Sequence, residues 1–500
     1  MSHGNLCVRL APALLPLAPL LVDCTNAQPG STHREDVGIT SSPVVPGASN
    51  ISQDSTPDSK FESETAAVAM GSQHLVAYNS HDNGHTDQNG NFCQYYSHIA
   101  VSYLSNGTSW RSLRIPTPFY AGVSMLNPDP AVAVVDGGAN WIVWVSSLAT
   151  STAIWDLSVQ IAGKSCFNAK ETNNIARDRA CLSSVVVPKD GSPAFPYLAQ
   201  CFGSGTDRLD GGAVHVTSAG NVYAAYFNAF RQRIDVFKNF AAIPTPFPFP
   251  IVGHAIFVPH GGGPQSVAGD VPTLIAPDAS GNFWVARLSD ALGTFTWFTT
   301  QITSDHAFAW GKNVVLGNNV SISDGRYSAD MYSFNGLDYI YFFYPKNNVP
   351  EGPQRLQGAR CNFFGMFGVC SSPSNWITDP GANALFPAVA VATVAMLPTP
   401  DFRPEMSYWS DNGSADGTLT LNFGRIFTGS QAFTISSTGS SQTPCPRKDD
   451  GYWGDYDAMT VHNNGTLLPI LVRYFTDSTA ETTCSDDGLP QHVSAFLRLP

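Results

Sequence analysis

From residue 64 onward, short apolar runs with strand periodicity come in pairs, most pairs joined by turn-forming residues. The first run of each pair is rich in small and β-branched residues, and in six of seven cases it follows an acid. The acids are Glu64 before TAAVAM, Asp129 before PAVAVV, Asp210 before GGAVHV, Asp270 before VPTLIA, Asp330 before MYSF and Asp455 before YDAMTV; the remaining run, PAVAV, follows Phe386. Gly71-Ser72, Asp136-Gly137-Gly138, Gly220-Asn221, Gly281-Asn282, Asn335-Gly336 and Asn464-Gly465 then supply the positive φ that tight hairpins need. The second runs are HLVAYNS from His74, WIVWVSS from Trp141, NVYAAYFN from Asn221, NFWVARLSD from Asn282, DYIYFFYP from Asp338, EMSYWSD from Glu405 and PILVRYFTD from Pro469.

The interval between openings leaves room for four strands and long loops. A lone hairpin cannot bury both faces, so such units must pack on one another in a ring or a stack. The pattern predicts an all-β fold, a β-propeller of seven blades, or six if one hairpin is an insertion. The C-terminal HVSAFLRL is expected to supply the strand that closes the ring. The widest interval, 129 to 210, holds Cys166, Cys181 and Cys201 and is expected to carry a disulfide-bonded excursion.

Composition agrees with this class. The 500 residues include 43 Gly and 36 Pro, which break helices, while 43% apolar content is enough for a large core. Acids outnumber bases 39 to 26, for a formal charge of −13, so the clustered Lys and Arg that a phosphate backbone requires are missing. Nucleic acid is disfavoured as a partner.

At the N-terminus one basic residue in Met1–Arg9 precedes an uncharged apolar run, Leu10–Val22, and small residues at Thr25-Asn26-Ala27. That order is a secretory signal peptide over 1–27, and the localisation it predicts is secreted, extracellular or periplasmic. A lipid anchor at Cys24 is the rival, opposed by Asp23 where a small residue is normally required. Residues 28–62, rich in Ser, Thr, Pro and Asp, are expected to form a disordered linker, leaving 63–500 as the propeller domain. No later apolar run is long enough to span a membrane, and a monomer is expected. Eight cysteines remain beyond residue 27, an even number that suits four disulfides in an oxidising compartment. Cys361 with Cys370 is the favoured pair because of its short separation, and Cys445 with Cys484 the next.

The recurrent acids are the first candidate site. In a propeller the first strands line the axis, so Glu64, Asp129, Asp210, Asp270, Asp330 and Asp455 would gather at one end of the channel. Crowded carboxylates raise one another's pKa or recruit a cation, which allows a general acid, a sugar-binding ring or Ca²⁺. The alternative is that each accepts backbone N–H groups from the neighbouring blade and recurs because the fold recurs. The loop from Asp82 to Gly90, with Asp87 and Asn89, is dense in oxygen ligands and is a second Ca²⁺ candidate without EF-hand spacing. The loop Asp411–Gly417 is similar.

Trp453-Gly454-Asp455-Tyr456, with Glu64-Thr65 at the first opening, resembles the secreted bacterial propellers grouped with sialidases and their aspartate-box (BNR) repeat relatives. Degraded boxes end at Trp110 (SNGTSW) and Trp297 (SDALGTFTW), keeping the Gly and Trp and losing the Asp spacing. The resemblance covers residues 64 to 500. It implies a glycosidase that binds an acidic sugar through three arginines, with a Tyr nucleophile charged by a Glu and an Asp acid/base. Carried onto this chain, it points to Arg287, Arg326 and Arg473, to Glu405 with Tyr408, and to Asp129, Asp270 or Asp455. Trp453, Tyr456, Glu64, Asp210 and Asp330 would contact substrate. Arg114-Ile115-Pro116 matches the family's Arg-Ile-Pro signature but follows the first box. Salt bridges between blades are the competing role for the arginines. The leading expectation is a secreted carbohydrate-active propeller of the sialidase-like glycoside hydrolase type, acting on or binding glycans at the central funnel; the alternatives are a non-catalytic propeller binding glycan or protein, and a polysaccharide lyase. A glycan or polysaccharide is the expected ligand in the first and third.

Overall fold

In a computed structural model of the chain, the described residues are thirty-four strands between Ala48 and Arg498 and many of the turns that flank them, with the fullest stretches at 209–228, 231–239, 241–259, 270–291, 325–346, 355–371 and 401–413. The signal-peptide reading, and most of the linker reading, lie outside them.

All larger sheets are antiparallel, and each is built from strands nearly consecutive in sequence. The first contains Ser59–Met70, Gln73–Asp82, Tyr96–Ser105 and Ser109–Ile115. The second runs through Leu126–Val135, Asn140–Thr150 and Ala153–Ala162, with Leu182–Ser183 and Gln200–Cys201 both paired to the last of these. The third holds Leu209–Val216, Val222–Asn228, Arg233–Lys238 and Ala241–Ile243, and the fourth Ile256–Phe257, Thr273–Pro277, Phe283–Ala291 and Thr294–Gln301. The fifth holds Ser328–Phe334, Leu337–Lys346 and Arg355–Phe364, whose outer edge is shared by Phe367–Cys370 and Ser374–Ile377. The sixth holds Ala384–Val394, Asp401–Ser410, Leu419–Phe427 and Ala432–Gln442. The seventh joins Ala458–His462, Ile470–Ser478 and Gln491–Arg498 to Ala48–Asn50 from the other end of the chain.

Each sheet packs face to face on the next, and the seventh returns to the first. Separate apolar cores fill these joints: Ala225, Ile234 and Val236 against Leu274 and Ala286, then Phe283 and Val285 against Phe342 and Tyr344. Next come Tyr341 and Phe343 against Val391 and Met406, Trp409 and Phe423 against Met459 and Val461, and Tyr474 against Val76 and Trp110. A ring of antiparallel sheets joined in this way is a β-propeller, as the strand pattern predicts.

Two features differ from the sequence reading. Ala48–Asn50, assigned like residues 59–62 of the first sheet to the disordered linker, is a strand in register with Ser494–Phe496, and Ile51 beside it is fully buried. Its composition is polar because an outer edge strand is held by backbone pairing and needs few apolar side chains. The ring therefore closes with HVSAFLRL as the third strand of the last sheet and the N-terminal strand as its fourth. In the fourth sheet, the run after Asp270 is the second strand. Ile256–Phe257 takes the hub position, where Val258 N–H donates to the Thr273 carbonyl and Pro259 O accepts from Met331 of the fifth sheet. A two-residue strand leaves no periodic signal.

The tight turns follow the expected chemistry. Asn335 and Gly336 both have positive φ and close a two-residue hairpin between Phe334 and Leu337. In the turn Asp278–Asn282, the Asp278 carboxylate accepts N–H groups from Ser280 at 2.8 Å and Asn282 at 2.9 Å, and the Trp284 indole N–H at 2.8 Å. Desolvation pushes the Asp278 carboxyl upward, and these hydrogen bonds together outweigh it and hold the group below its ordinary value. Stability from Asp278 is then full above the unfolded carboxylate value and is lost as pH falls through the lower folded value. Asp278→Asn should lower stability by about 1–2 kcal/mol near neutrality. In denaturant unfolding, the gap from the parent should narrow progressively as pH falls below about 5; a pH-independent gap would contradict this origin.

Candidate functional site

First strands at the hub have one edge outside their own sheet's ladder, so their N–H groups need acceptors from elsewhere, most often side chains of the adjacent sheet. Buried Asp330 accepts the N–H of Val391 at 2.6 Å and of Met331 at 2.9 Å, while Ser328 Oγ accepts from Val389 at 3.1 Å. Two alternate residues of the fifth sheet thereby cap two alternate amides of the sixth. Thr65 does the same between the first and seventh sheets, accepting from Ala458 N–H at 2.9 Å and donating to the Tyr474 carbonyl at 3.2 Å. For Asp330 the recurrent acid is a joint between sheets.

The entry rim of the fifth, sixth and seventh sheets brings charged side chains together near the hub. Gly325 lies so close to Phe386 that an added Cβ would come within 2.8 Å of the ring, and both residues have positive φ. Arg326, next in chain and half-buried, sits where the first strand of the fifth sheet begins. The Phe386 carbonyl accepts from Arg473 Nη2 at 2.6 Å, and the same nitrogen donates to Asp457 at 2.6 Å. Asp457 also accepts the Trp409 indole N–H at 3.1 Å. Arg473 is fully buried, and burial pulls its guanidinium below its ordinary value while Asp457 opposes that shift. Among the described residues its Nε and Nη1 have no hydrogen-bond partner. Glu405 and Ser407 alternate with Trp409 on one strand, so all three face this same space between the sixth and seventh sheets.

The other expected site residues are dispersed. Tyr408 is three positions from Glu405 on a strand of unbroken register, so the two point to opposite faces; Tyr408 packs with Tyr332 and Met406 toward the fifth sheet. Glu405 and Tyr408 therefore do not meet as a nucleophile pair. Arg287 is fully buried and paired with Asp338, and its Nη1 donates to the Gly365 carbonyl at 2.7 Å, which joins the fourth and fifth sheets. That is the blade-bridging role. Asp270, preceding a second strand, lies at the opposite rim, where it accepts from Ser218 N–H at 2.6 Å in the turn ending the first strand of the third sheet. Asp129 is register-paired with Ser146 and Asp210 with Phe227; at both, and in the Glu64-Thr65 step, the register shifts by a bulge.

Asp82 lies in a strand opposite Tyr96, whereas Asp87, Asn89, Trp453, Asp455 and Tyr456 lie outside the described residues. Among the described residues no group of three or more His, Cys, Asp or Glu is placed to hold a metal ion. In the second loop considered for calcium, Asp411 accepts from Asn383 N–H at 2.7 Å and Gly413 N–H at 3.0 Å, a turn-forming role. Sequence reasoning missed Asp457, two positions beyond Asp455, and Asp338, which opens DYIYFFYP. Their only signal is an acid at a strand start.

No protein-family model and no curated protein matches the chain. Similar solved structures include NanB with Optactamide, at 12% identity and TM-score 0.42, covering 90% of this chain and 70% of that one. A Trypanosoma rangeli sialidase with 2,3-difluorosialic acid aligns at 9% identity and TM-score 0.41, covering 91% of this chain and 59% of the sialidase. A Cellvibrio cellulosa α-L-arabinanase with arabinohexaose aligns at 8% and 0.30, covering 75% and 96%. The propeller assignment rests on the sheet order itself.

Asp457→Ala leaves Arg473 buried with one protein acceptor and should cost about 3–5 kcal/mol in chemical unfolding. The double change Asp457→Leu with Arg473→Met should cost less than the single one. Additive losses would show that the two side chains are not energetically coupled.

Proposed function

We propose that the chain is a secreted, glycan-acting β-propeller of the glycoside hydrolase type, with its ligand site at the hub rim of the fifth to seventh sheets. The observation that carries this reading is the placement of a half-buried cation, Arg326, at the same rim as the buried Arg473–Asp457 pair, with Glu405 deeper in the same inter-sheet space. Guanidinium groups bind carboxylates and polyhydroxylated ligands through several donors in a fixed plane. Carboxylates in a poorly solvated space are suited to acid–base work on a glycosidic oxygen. The resemblance to aspartate-box propellers of the sialidase type supports an acidic sugar as ligand.

A second reading has its own support. Asp330 and Asp457 already accept the hydrogen bonds that hold neighbouring sheets together, which suits a propeller that binds glycan without turning it over. Calcium at the Asp82–Asn89 loop belongs to the same proposal and would raise the melting midpoint in proportion to the logarithm of free Ca²⁺; no change with Ca²⁺ would remove it.

The deciding assay offers the full chain a fluorogenic sialoside, neutral aryl glycosides and uronate polymers. Hydrolysis is expected, with Arg326→Ala lowering kcat/KM by about 10²-fold at an unchanged melting midpoint. Binding without turnover would select the second reading, and unsaturated products would select a lyase. Neither turnover nor binding on the panel would refute a glycan ligand.

A further inference from the structure

The outer hairpin of the fifth sheet, Arg355–Phe364 with Phe367–Cys370, carries its apolar side chains outward. Phe364 is 74% exposed, Phe367 71% and Val369 72%, and Met366 at the tip is half-exposed. No charged residue occurs from Cys361 to Thr378. Such exposure opposes the usual burial of these residue types and calls for a physical reason.

The hairpin is also rigidly held. A disulfide joins Cys361 to Cys370, as expected from the sequence, and the two are direct cross-strand partners. Beneath it the Phe363 ring is buried and lies against Gly368, where any Cβ would come within 2.3 Å of the ring. The Arg287 guanidinium lies 5.0 Å from the centre of that ring and donates to the Gly365 carbonyl at the tip. An ion pair buried between two sheets thus fixes the tip while its phenylalanines face solvent.

We infer that this disulfide-stapled hairpin is a lipid-surface anchor, inserting Phe364, Phe367 and Val369 into the interfacial region of a bilayer. Three observations select a bilayer over a protein partner. The exposed side chains offer about 400 Å² of apolar area, well below the ~800 Å² per partner of a stable protein interface. The uncharged stretch draws no ionised side chain of its own into the bilayer along with the phenylalanines. Finally, the tip joins the third strand to an outer strand, and third strands run parallel to first strands, so it lies on the rim opposite Arg326 and Asp457. Insertion would leave the candidate ligand site facing away from the membrane. Since the chain carries −13, its affinity should come from apolar area and not from anionic lipid.

The test is flotation of the full chain with zwitterionic phosphatidylcholine vesicles, comparing the parent with Phe364→Ser/Phe367→Ser. Both side chains are largely exposed, and Phe367 has one edge-on ring contact, with Phe298 at 5.2 Å, so the double variant should stay folded and melt only slightly below the parent. Its bound fraction should fall on the order of tenfold or more, with little dependence on salt. In a second measurement, Phe364→Trp should show a blue-shifted emission when vesicles are added. No binding by the parent, equal binding by both proteins, or unshifted Trp emission would overturn the inference. A vesicle-free dimer that dissociates in the double variant would overturn it as well, by assigning the surface to a second copy of the chain.

Discussion

The structure depends on one constraint: the inner edge of each sheet presents amide groups that its own strands cannot satisfy. A propeller is stable only if side chains or carbonyls of the adjacent sheet, or water in the channel, accept those hydrogens. Ser328, Asp330 and Thr65 do so here, at positions that alternate with the apolar residues filling the same joint. Acid or hydroxyl therefore recurs near the first strands for the same reason that valine and alanine do. A recurrent acid in such a fold is evidence of the joint before it is evidence of chemistry.

The arginines extend the same logic outward. Arg287 and Arg473 each lie wholly buried between two sheets: Arg287 donates to Asp338 and the Gly365 carbonyl of the fifth sheet, and Arg473 to the Phe386 carbonyl of the sixth and to Asp457 at the start of its own. A buried ion pair adds little net stability over apolar packing, yet its directional bonds set how two sheets register. At Arg473 that register also includes Phe386, whose positive φ turns its carbonyl toward the guanidinium. The joint between the sixth and seventh sheets is thus built from a strained backbone, an ion pair and an indole N–H meeting on Asp457.

Much of the fold was legible in the sequence because strand alternation and Asn-Gly or Ser-Gly-Asn turns are local signals. Phe283–Ala291 and Leu337–Lys346 fall where the second runs and their turns place them. The fourth sheet shows where local signals fail: Asp278–Asn282 and Thr217–Asn221 are closely alike as turns, but one follows a second strand and the other a first. Only the non-local pairing of Ile256–Phe257 sets the phase. The site was less legible. Glu405 and Arg473 were identified from residue type and meet the same inter-sheet space, whereas the Glu405–Tyr408 pairing fails on strand parity and Asp457 has no motif to mark it.

Closure of the seventh sheet has a kinetic side. Ala48–Asn50 pairs with Ser494–Phe496, and His74 Nδ1 lies 2.6 Å from the hydroxyl of Tyr474, so contacts of very long sequence separation complete the ring. Loop-closure entropy must be met before such contacts give any return. The first sheet consequently waits, with one face bare, until residues near 500 arrive, and this interval is when the chain is most exposed to aggregation and to chaperone capture. Once shut, the ring has no free terminal blade from which unfolding can begin.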